Sequence, residues 1–307
     1  MKIFSKTLHI DFLGYRKMGF TLSVAMIAAT IGIIALHGGL KYGIDFAGGS
    51  LIQVKFKDAP ILEEVRRVIG TLELGKGDIQ GFGEPEDILI NIKTKEGEHT
   101  AAVNRVKQAL IERYGEDGIS IERVEMVGPK VGSDLSTKAV LSLVYSLIGI
   151  LIYISYRFEL RFAVAAVIAL AHDTVITVGA LSITGSEFTL PVIAALLTVI
   201  GYSLNDTIVV FDRIRENLRL KRTLPIKELV NVSINQTLGR TIITSGTTMV
   251  VVLCIFHFGG SVIHEFSFAL IIGILVGTYS SIFIASPLLA IWPGTTTQTL
   301  SLAVRRK

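Results

Sequence analysis

Asp206 falls inside the apolar run 188–210, in the company of Tyr202, Ser203, Asn205 and Thr207. A charged side chain within a membrane-crossing helix costs roughly 2.5–3.5 kcal/mol on insertion scales, so such a residue is a functional candidate by default. His172 and Asp173 sit near the middle of a second run, 162–184, with Thr174 and Thr177 close by. Asp173 and Thr177 are four apart and share a helix face. A third polar stretch opens the run 241–258, where Arg240 is followed by Thr241, Thr244, Ser245, Thr247 and Thr248. Small hydroxyls of this kind hold water or admit close helix packing. The proton affinity of a buried carboxylate depends on its desolvation and on nearby cations. An Asp with a movable Arg partner therefore alternates between protonated and ionised forms as access changes, which is what a proton relay needs.

Asp206, Arg240 and Asp173 are accordingly the expected relay, with Tyr202, Ser203, Asn205, His172, Asp212 and Arg213 in support. Each proton crossing the membrane field supplies about 2.3 kcal/mol per 100 mV. No nucleotide is needed, and the sequence contains no G-x-x-x-x-G-K-[ST] phosphate loop. No cofactor beyond the proton gradient is expected, nor any metal. An enzyme is not expected either, for want of a zinc-ligand pair or a nucleophile with its base. Plainer roles compete at several positions. Asp212, Arg213, Arg215 and Glu216 fit a solvated helix end, Arg240 could snorkel to headgroups, and Asp173 could be a structural hydrogen-bonding group. Glu187, Glu265 and His264 read as loop or interface residues. Asp206, about one turn inside its span, is the hardest to dismiss. Gly273 and Gly277 form a G-x-x-x-G, continued by Ser280 and Ser281, that suits a close helix contact.

The elements that must position these residues follow from composition. Of 307 residues, 50% are apolar and 18% charged, against roughly 25% charged in average soluble chains, and mean hydropathy is +0.58. The apolar residues cluster in six runs, 18–36, 140–156, 162–184, 188–210, 241–258 and 266–292, near or above the roughly 18 residues of a membrane helix. With 7 Pro and the single Cys254, disorder and a disulfide scaffold are excluded. The first run is too long for a signal peptide and lacks a small-residue cleavage site, so it is expected to be a retained helix.

Orientation follows from Lys and Arg, which short cytoplasmic loops retain. Lys2, Lys6, Arg16 and Lys17 precede the first span, Arg157 and Arg161 lie between the second and third, and Arg305, Arg306 and Lys307 close the chain. The segment 211–240, taken as the loop between the fourth and fifth spans, holds seven more; the opposite loops 185–187 and 259–265 hold none. Both termini are therefore expected in the cytoplasm. The other fourteen basic residues lie in 38–138 beside seventeen acidic ones, so the net charge of +4 and pI near 9.1 report orientation, not nucleic-acid binding.

The segment 38–138 changes period. Ile52, Val54 and Phe56 alternate as a strand with one buried face. Ile61, Leu62, Val65, Val68, Ile69 and Leu72 recur at helical spacing after Pro60. A turn at 75–78 leads to short strands near 79–82 and 88–92, a helix carrying Ala102, Val103, Val106, Ala109, Leu110 and Tyr114, and a last strand from Ile119. The order β-α-β-β-α-β predicts a ferredoxin-like α+β domain. The expected fold class is thus a membrane all-α six-helix bundle with an extracytoplasmic α+β domain. Its divisions are an N-terminus and first span (1–37), the extracytoplasmic domain (38–138), spans two to six (139–292) and a cytoplasmic tail (293–307).

Several motifs carry a resemblance. They are Gly43-Ile44-Asp45-Phe46-Ala47-Gly48-Gly49, Val127-Gly128-Pro129-Lys130-Val131-Gly132, Ala171-His172-Asp173, and Gly201-Tyr202-Ser203-Leu204-Asn205-Asp206-Thr207. To these are added Phe211-Asp212-Arg213-Ile214-Arg215-Glu216-Asn217, Gln236-Thr237-Leu238-Gly239-Arg240-Thr241, Thr244-Ser245-Gly246-Thr247-Thr248, and 273–281. Together they resemble the SecD/SecF protein-export family, on the side of its smaller, SecF-type members, over the whole chain. The asparagine–aspartate segment with the Asp-Arg-Ile-Arg-Glu-Asn run is the most specific part. The resemblance implies half of a resistance-nodulation-division (RND) transporter, in the bacterial inner membrane. SecD supplies the homologous half, and SecYEG, YajC and a SecA-driven preprotein are the partners. It further implies a proton-motive-force-driven role in late translocation and release, with an Asp of the fourth span and an Arg at the start of the fifth in proton movement; these correspond to Asp206 and Arg240. Two rivals remain. One is a lipid or small-molecule exporter half, which the chain length disfavours; the other is a purely structural translocon-stabilising subunit, which leaves the buried acids unexplained.

Overall fold

The computed structural model describes residues 9–72, 74, 78–92, 98–221, 223–260, 263–293 and 297. Most of the expected turn at 75–78 and most of the tail 293–307 lie outside them. The chain divides into two compact units, one of Met1–Leu40, Ser142–Ser186 and Pro191–Lys307, the other of Lys41–Leu141 with Glu187–Leu190.

The second unit is built on a sheet. After α1 (Arg16–Leu36) and the single turn α2 (Ile44–Ala47), the order is β1 (Gly49–Phe56), α3 (Leu62–Gly70), β2 (Asp78–Phe82), β3 (Glu84–Ile92), α4 (His99–Tyr114) and β4 (Ile119–Val127). The strands lie in the order β2-β3-β1-β4, with every neighbouring pair antiparallel. Register follows the buried face: Ile52 opposes Ile90 and Val54 opposes Ile88. These side chains and Phe56 and Ile92 form one core with Val65 and Ile69 of α3 and Val103, Val106 and Leu110 of α4.

Two glycine motifs close this unit. Gly48 and Gly49 have φ of 71° and 139°, a region that side chains with a Cβ rarely adopt. A Cβ on Gly48 would stand 2.9 Å from Pro129 Cα, and one on Gly132 would stand 2.9 Å from the Phe46 carbonyl oxygen. The chain segment 41–45 pairs with 187–190: Gly43 N–H donates to the Phe188 carbonyl (2.9 Å) and Phe188 N–H to that of Lys41 (2.7 Å). Asp45 Oδ2 accepts from the N–H of Leu190 at 2.8 Å. Glu187, read from sequence as a loop or interface residue, is in a loop but buried, with Lys41 Nζ 3.9 Å away.

Among the described residues, six helices are long and apolar enough to cross a membrane. They are α1, α5 (Pro129–Arg157), α6 (Leu160–Ile183), α7 (Leu190–Leu220), α8 (Ile226–Phe258) and the segment His264–Ile291. The last consists of α9 (His264–Ser280), one π-helical stretch (Ser281–Ala285) and α10 (Ser286–Ile291). α6 is lined by Ala163, Ala165, Ala166 and Ala169, all fully buried, small residues that let backbones approach in a bilayer. α5 instead leaves Val140, Val144, Tyr145, Ile152, Tyr153 and Tyr156 exposed.

The helices outrun the apolar runs that predict them. The stretch 211–240, expected as a loop, is mostly helix: α7 continues to Leu220 and α8 begins at Ile226. The cause is an amphipathic continuation, which window hydropathy does not register. Phe211, Ile214 and Leu218 of α7 pack in one core with Leu229, Val230 and Ile234 of α8, and Asn217 donates to Ser233 Oγ at 2.8 Å.

Candidate functional site

Asp206 stands well inside α7, 14 residues before its end at Leu220 and so roughly 21 Å along the axis. The expected place one turn from a helix end is therefore corrected by the extension of α7. The side chain is 2% exposed. Its Oδ2 accepts from Ser245 Oγ of α8 at 3.1 Å, Ser245 lies 2.8 Å from Thr278 Oγ1 of α9, and Thr278 donates to the Ile274 carbonyl at 2.8 Å. One hydroxyl chain thus joins α7, α8 and α9 at the carboxylate. The direct Asp206–Arg240 contact expected from sequence is not formed. Arg240 is exposed, and its charge acts on Asp206 at longer range. Beside these two residues the hydroxyls of Thr207 and Thr241 are buried without a partner among the described residues, as is that of Tyr202.

Asp173, on α6, is 1% exposed and forms a second node. Oδ2 accepts from Ser203 Oγ of α7 at 2.6 Å and from Ser280 Oγ of α9 at 2.7 Å. Oδ1 lies 2.9 Å from His172 Nδ1. The His172 ring stacks on Tyr279 with centroids 6.2 Å apart, and Tyr279 Oη donates to the Gly19 carbonyl of α1 at 2.7 Å, beside Ser23 Oγ at 3.0 Å. Ser203 and Asp206 are three apart on α7, so both nodes open on one face of that helix.

α9 reaches both nodes because its residues alternate in duty. Thr278 turns to α8 and Ser280 to α6, while Gly273 and Gly277 let α7 in: a Cβ on Gly277 would stand 2.9 Å from Ser203 Cβ. The remaining expected supporters lie elsewhere. Asn205 is exposed, Asp212 pairs with Arg157 at 3.6 Å, and Arg213 donates to Gln236 Oε1 at 2.7 Å and Glu216 Oε2 at 2.6 Å. Among the described residues no three His, Cys, Asp or Glu side chains gather as a metal site.

Both nodes fall inside a stretch, 106–294, matched by the family model described as "Protein export membrane protein SecD/SecF, C-terminal". A second model, "SecD/SecF GG Motif", matches residues 33–60 and so contains Gly48 and Gly49. The chain belongs to the SecD/SecF family. It is 49% identical to the protein translocase subunit SecF of Magnetococcus marinus over 94% of this chain and 93% of that one. The SecF subunit of Vibrio alginolyticus is 45% identical over 91% of this chain and 88% of its own. Among solved structures, SecDF from Thermus thermophilus, a translocon-associated membrane protein, superimposes with a TM-score of 0.83 at 36% identity. That match covers 94% of this chain but 39% of the SecDF chain. With six span-capable helices, this SecD/SecF member is a multi-pass membrane protein.

Four residues at the two nodes carry no site role in the sequence reading. Ser245 and Ser280 were visible only as small hydroxyls favouring close packing, yet each holds one of the two carboxylates. Thr278 and Tyr279 enter the sequence reading only within the 273–281 motif, with no role of their own, since a Thr and a Tyr in a membrane helix are ordinary until a partner is placed opposite them. The Ser280–Ser281 pair that follows the G-x-x-x-G was the nearest hint.

Proposed function

We propose that this chain acts with a SecD partner as the SecF half of a proton-driven accessory to the Sec translocase, promoting late translocation and release of exported polypeptides. The observation that carries the reading is Asp206. It is a carboxylate buried among three helices, bonded among the described residues by the Ser245 hydroxyl alone, with the Arg240 charge near enough to act on it but unpaired with it. Such a group can take up and release a proton while α7, α8 and α9 repack. Asp173, which ties α6 to α7 and α9, couples that repacking to the rest of the helices. Both termini lie in the cytoplasm of a bacterial inner membrane, and the sheet-bearing unit, ferredoxin-like in strand order, lies outside to meet the emerging polypeptide. SecYEG, YajC and a SecA-driven preprotein are the wider partners, and no cofactor beyond the proton gradient is required. The test is proton-gradient-dependent completion of preprotein export in inverted vesicles. Asp206→Asn is expected to abolish the dependence while leaving assembly with SecD intact; wild-type completion in that variant rejects the role.

A further inference from the structure

The end of α5 and the charged stretch of α7 line an open pocket of about 340 Å³ formed by Arg157, Asp212, Arg215, Glu216 and Arg219. Two guanidiniums share one aromatic ring there: the Cζ atoms of Arg157 and Arg215 lie 5.2 Å and 5.7 Å from the centroid of Phe158. Arg215 also donates to the Arg157 carbonyl at 3.2 Å. Arg215 and Arg219 are four apart on one helix face, where like charges repel.

The acids nearby do not balance this charge. The stretches 157–161 and 212–219 carry five Arg (157, 161, 213, 215, 219) against Glu159, Asp212 and Glu216, a net charge of +2. Glu216 is engaged by Arg213 at 2.6 Å, outside the pocket's own set of guanidiniums. Asp212 stands 3.6 Å from Arg157 within the pocket, so the lining's three guanidiniums face two carboxylates, one of them engaged from outside.

Connectivity places the pocket at the ends of two span-capable helices. α5 ends at Arg157 and α6 begins at Leu160, so only Phe158 and Glu159 separate two span-capable helices. A two-residue connection between such helices lies at headgroup level, and exposed Tyr156 (85%) and Leu160 (63%) flank it with apolar surface. Planar guanidiniums match phosphate oxygens with paired hydrogen bonds, and basic pockets between membrane helices take anionic headgroups.

We propose that this pocket binds the phosphate of an anionic phospholipid headgroup, with Arg157, Arg215 and Arg219 as donors. The site is independent of the proton relay, since none of its residues touches Asp206 or Asp173. The lipid pins the end of α5 to α7, the helix that carries Asp206.

The test uses the full chain in neutral detergent, titrated with mixed micelles of phosphatidylglycerol or phosphatidylcholine, reading bound lipid by native mass spectrometry and thermal protection. R215Q/R219Q is expected to weaken phosphatidylglycerol binding roughly thirtyfold, with the neutral lipid unaffected. K221Q/K227Q removes the same charge outside the pocket and is expected to bind as wild type. R219Q, which leaves the stacking of Arg215 on Phe158 in place, guards against misfolding of the double variant and is expected to lose roughly fivefold. Equal losses in the pocket and control doubles, wild-type binding in R219Q and R215Q/R219Q, or no preference for phosphatidylglycerol would each overturn the proposal. Protection by inorganic phosphate equal to that by phosphatidylglycerol would assign the pocket to a free anion and overturn the lipid.

Discussion

Asp173 and Asp206 are both buried acids in adjoining helices, but their hydrogen bonding separates them. Asp173 has three side-chain partners, Ser203, Ser280 and His172, distributed over both oxygens. Asp206 has one, Ser245, and among the described residues no donor reaches its other oxygen. On the proposed reading, the saturated acid holds helices together and the unsaturated one changes state. Ser203→Ala and Ser280→Ala are therefore each expected to lower stability by about 0.6–1.7 kcal/mol, the range for hydrogen bonds between membrane helices, measured by reversible unfolding in mixed micelles. An unchanged unfolding midpoint in both would remove Asp173 from the structural role. Arg240 differs again: it acts on Asp206 by charge across a gap and not through a fitted fork. On that geometry Arg240→Lys should retain most proton-dependent export and Arg240→Gln should lose it. A Lys variant as poor as Gln would mean that Arg240 forms paired hydrogen bonds with Asp206 in another state of the cycle.

At the scale of elements, α9 is the helix on which both nodes depend. It turns Thr278 to α8, Ser280 to α6 and two glycines to α7. A methyl at Gly277 meets Ser203 itself, so Gly277→Ala displaces a donor to Asp173 as well as crowding α7. The expected cost is roughly 1–3 kcal/mol, typical of overpacking, read as a lower thermal midpoint; Gly149→Ala, with open space around its Cβ position, is the control and should be neutral. The helices themselves were legible in the sequence because apolar length alone calls a span. Their ends were not. Phe211, Ile214 and Leu218 are too sparse among Asp212, Arg213 and Arg215 to raise window hydropathy, yet they carry α7 on to Leu220. The two acids were legible as costly residues in apolar surroundings. Their partners were not, because Ser245, Thr278 and Ser280 acquire meaning only when antiparallel helices set them opposite a carboxylate, and single-chain spacing does not encode which helices touch.

For the whole molecule, the sixteen Lys and Arg of the N-terminus, the 157–161 connection, the 211–240 stretch and the C-terminus argue for both termini inside and the sheet-bearing unit outside. In a Cys254→Ser background, a cysteine at Glu116, in the turn before β4, is expected to react with a membrane-impermeant maleimide added to intact spheroplasts. One at Thr223, between α7 and α8, should react only after the membrane is opened. The reverse pattern inverts the orientation and with it the direction in which protons must run. The alternation of Ile52, Val54 and Phe56 made the sheet legible, since a period of two gathers these side chains on one face of a strand but scatters them around a helix. The pairing of 41–45 with 187–190 was hidden, because it depends on backbone groups and on glycines whose use is close approach.

A change of protonation at Asp206 is the central step of the proposed cycle, and infrared difference spectroscopy reads it directly. The full chain, assembled with SecD in lipid vesicles, is taken through a pH step while the carboxyl C=O stretch is recorded. A protonated-carboxyl band that comes and goes with the step in wild type, persists in Asp173→Asn and vanishes in Asp206→Asn is the expected result. A titrating band unchanged in Asp206→Asn, or a wild type in which no buried carboxyl responds, would contradict it.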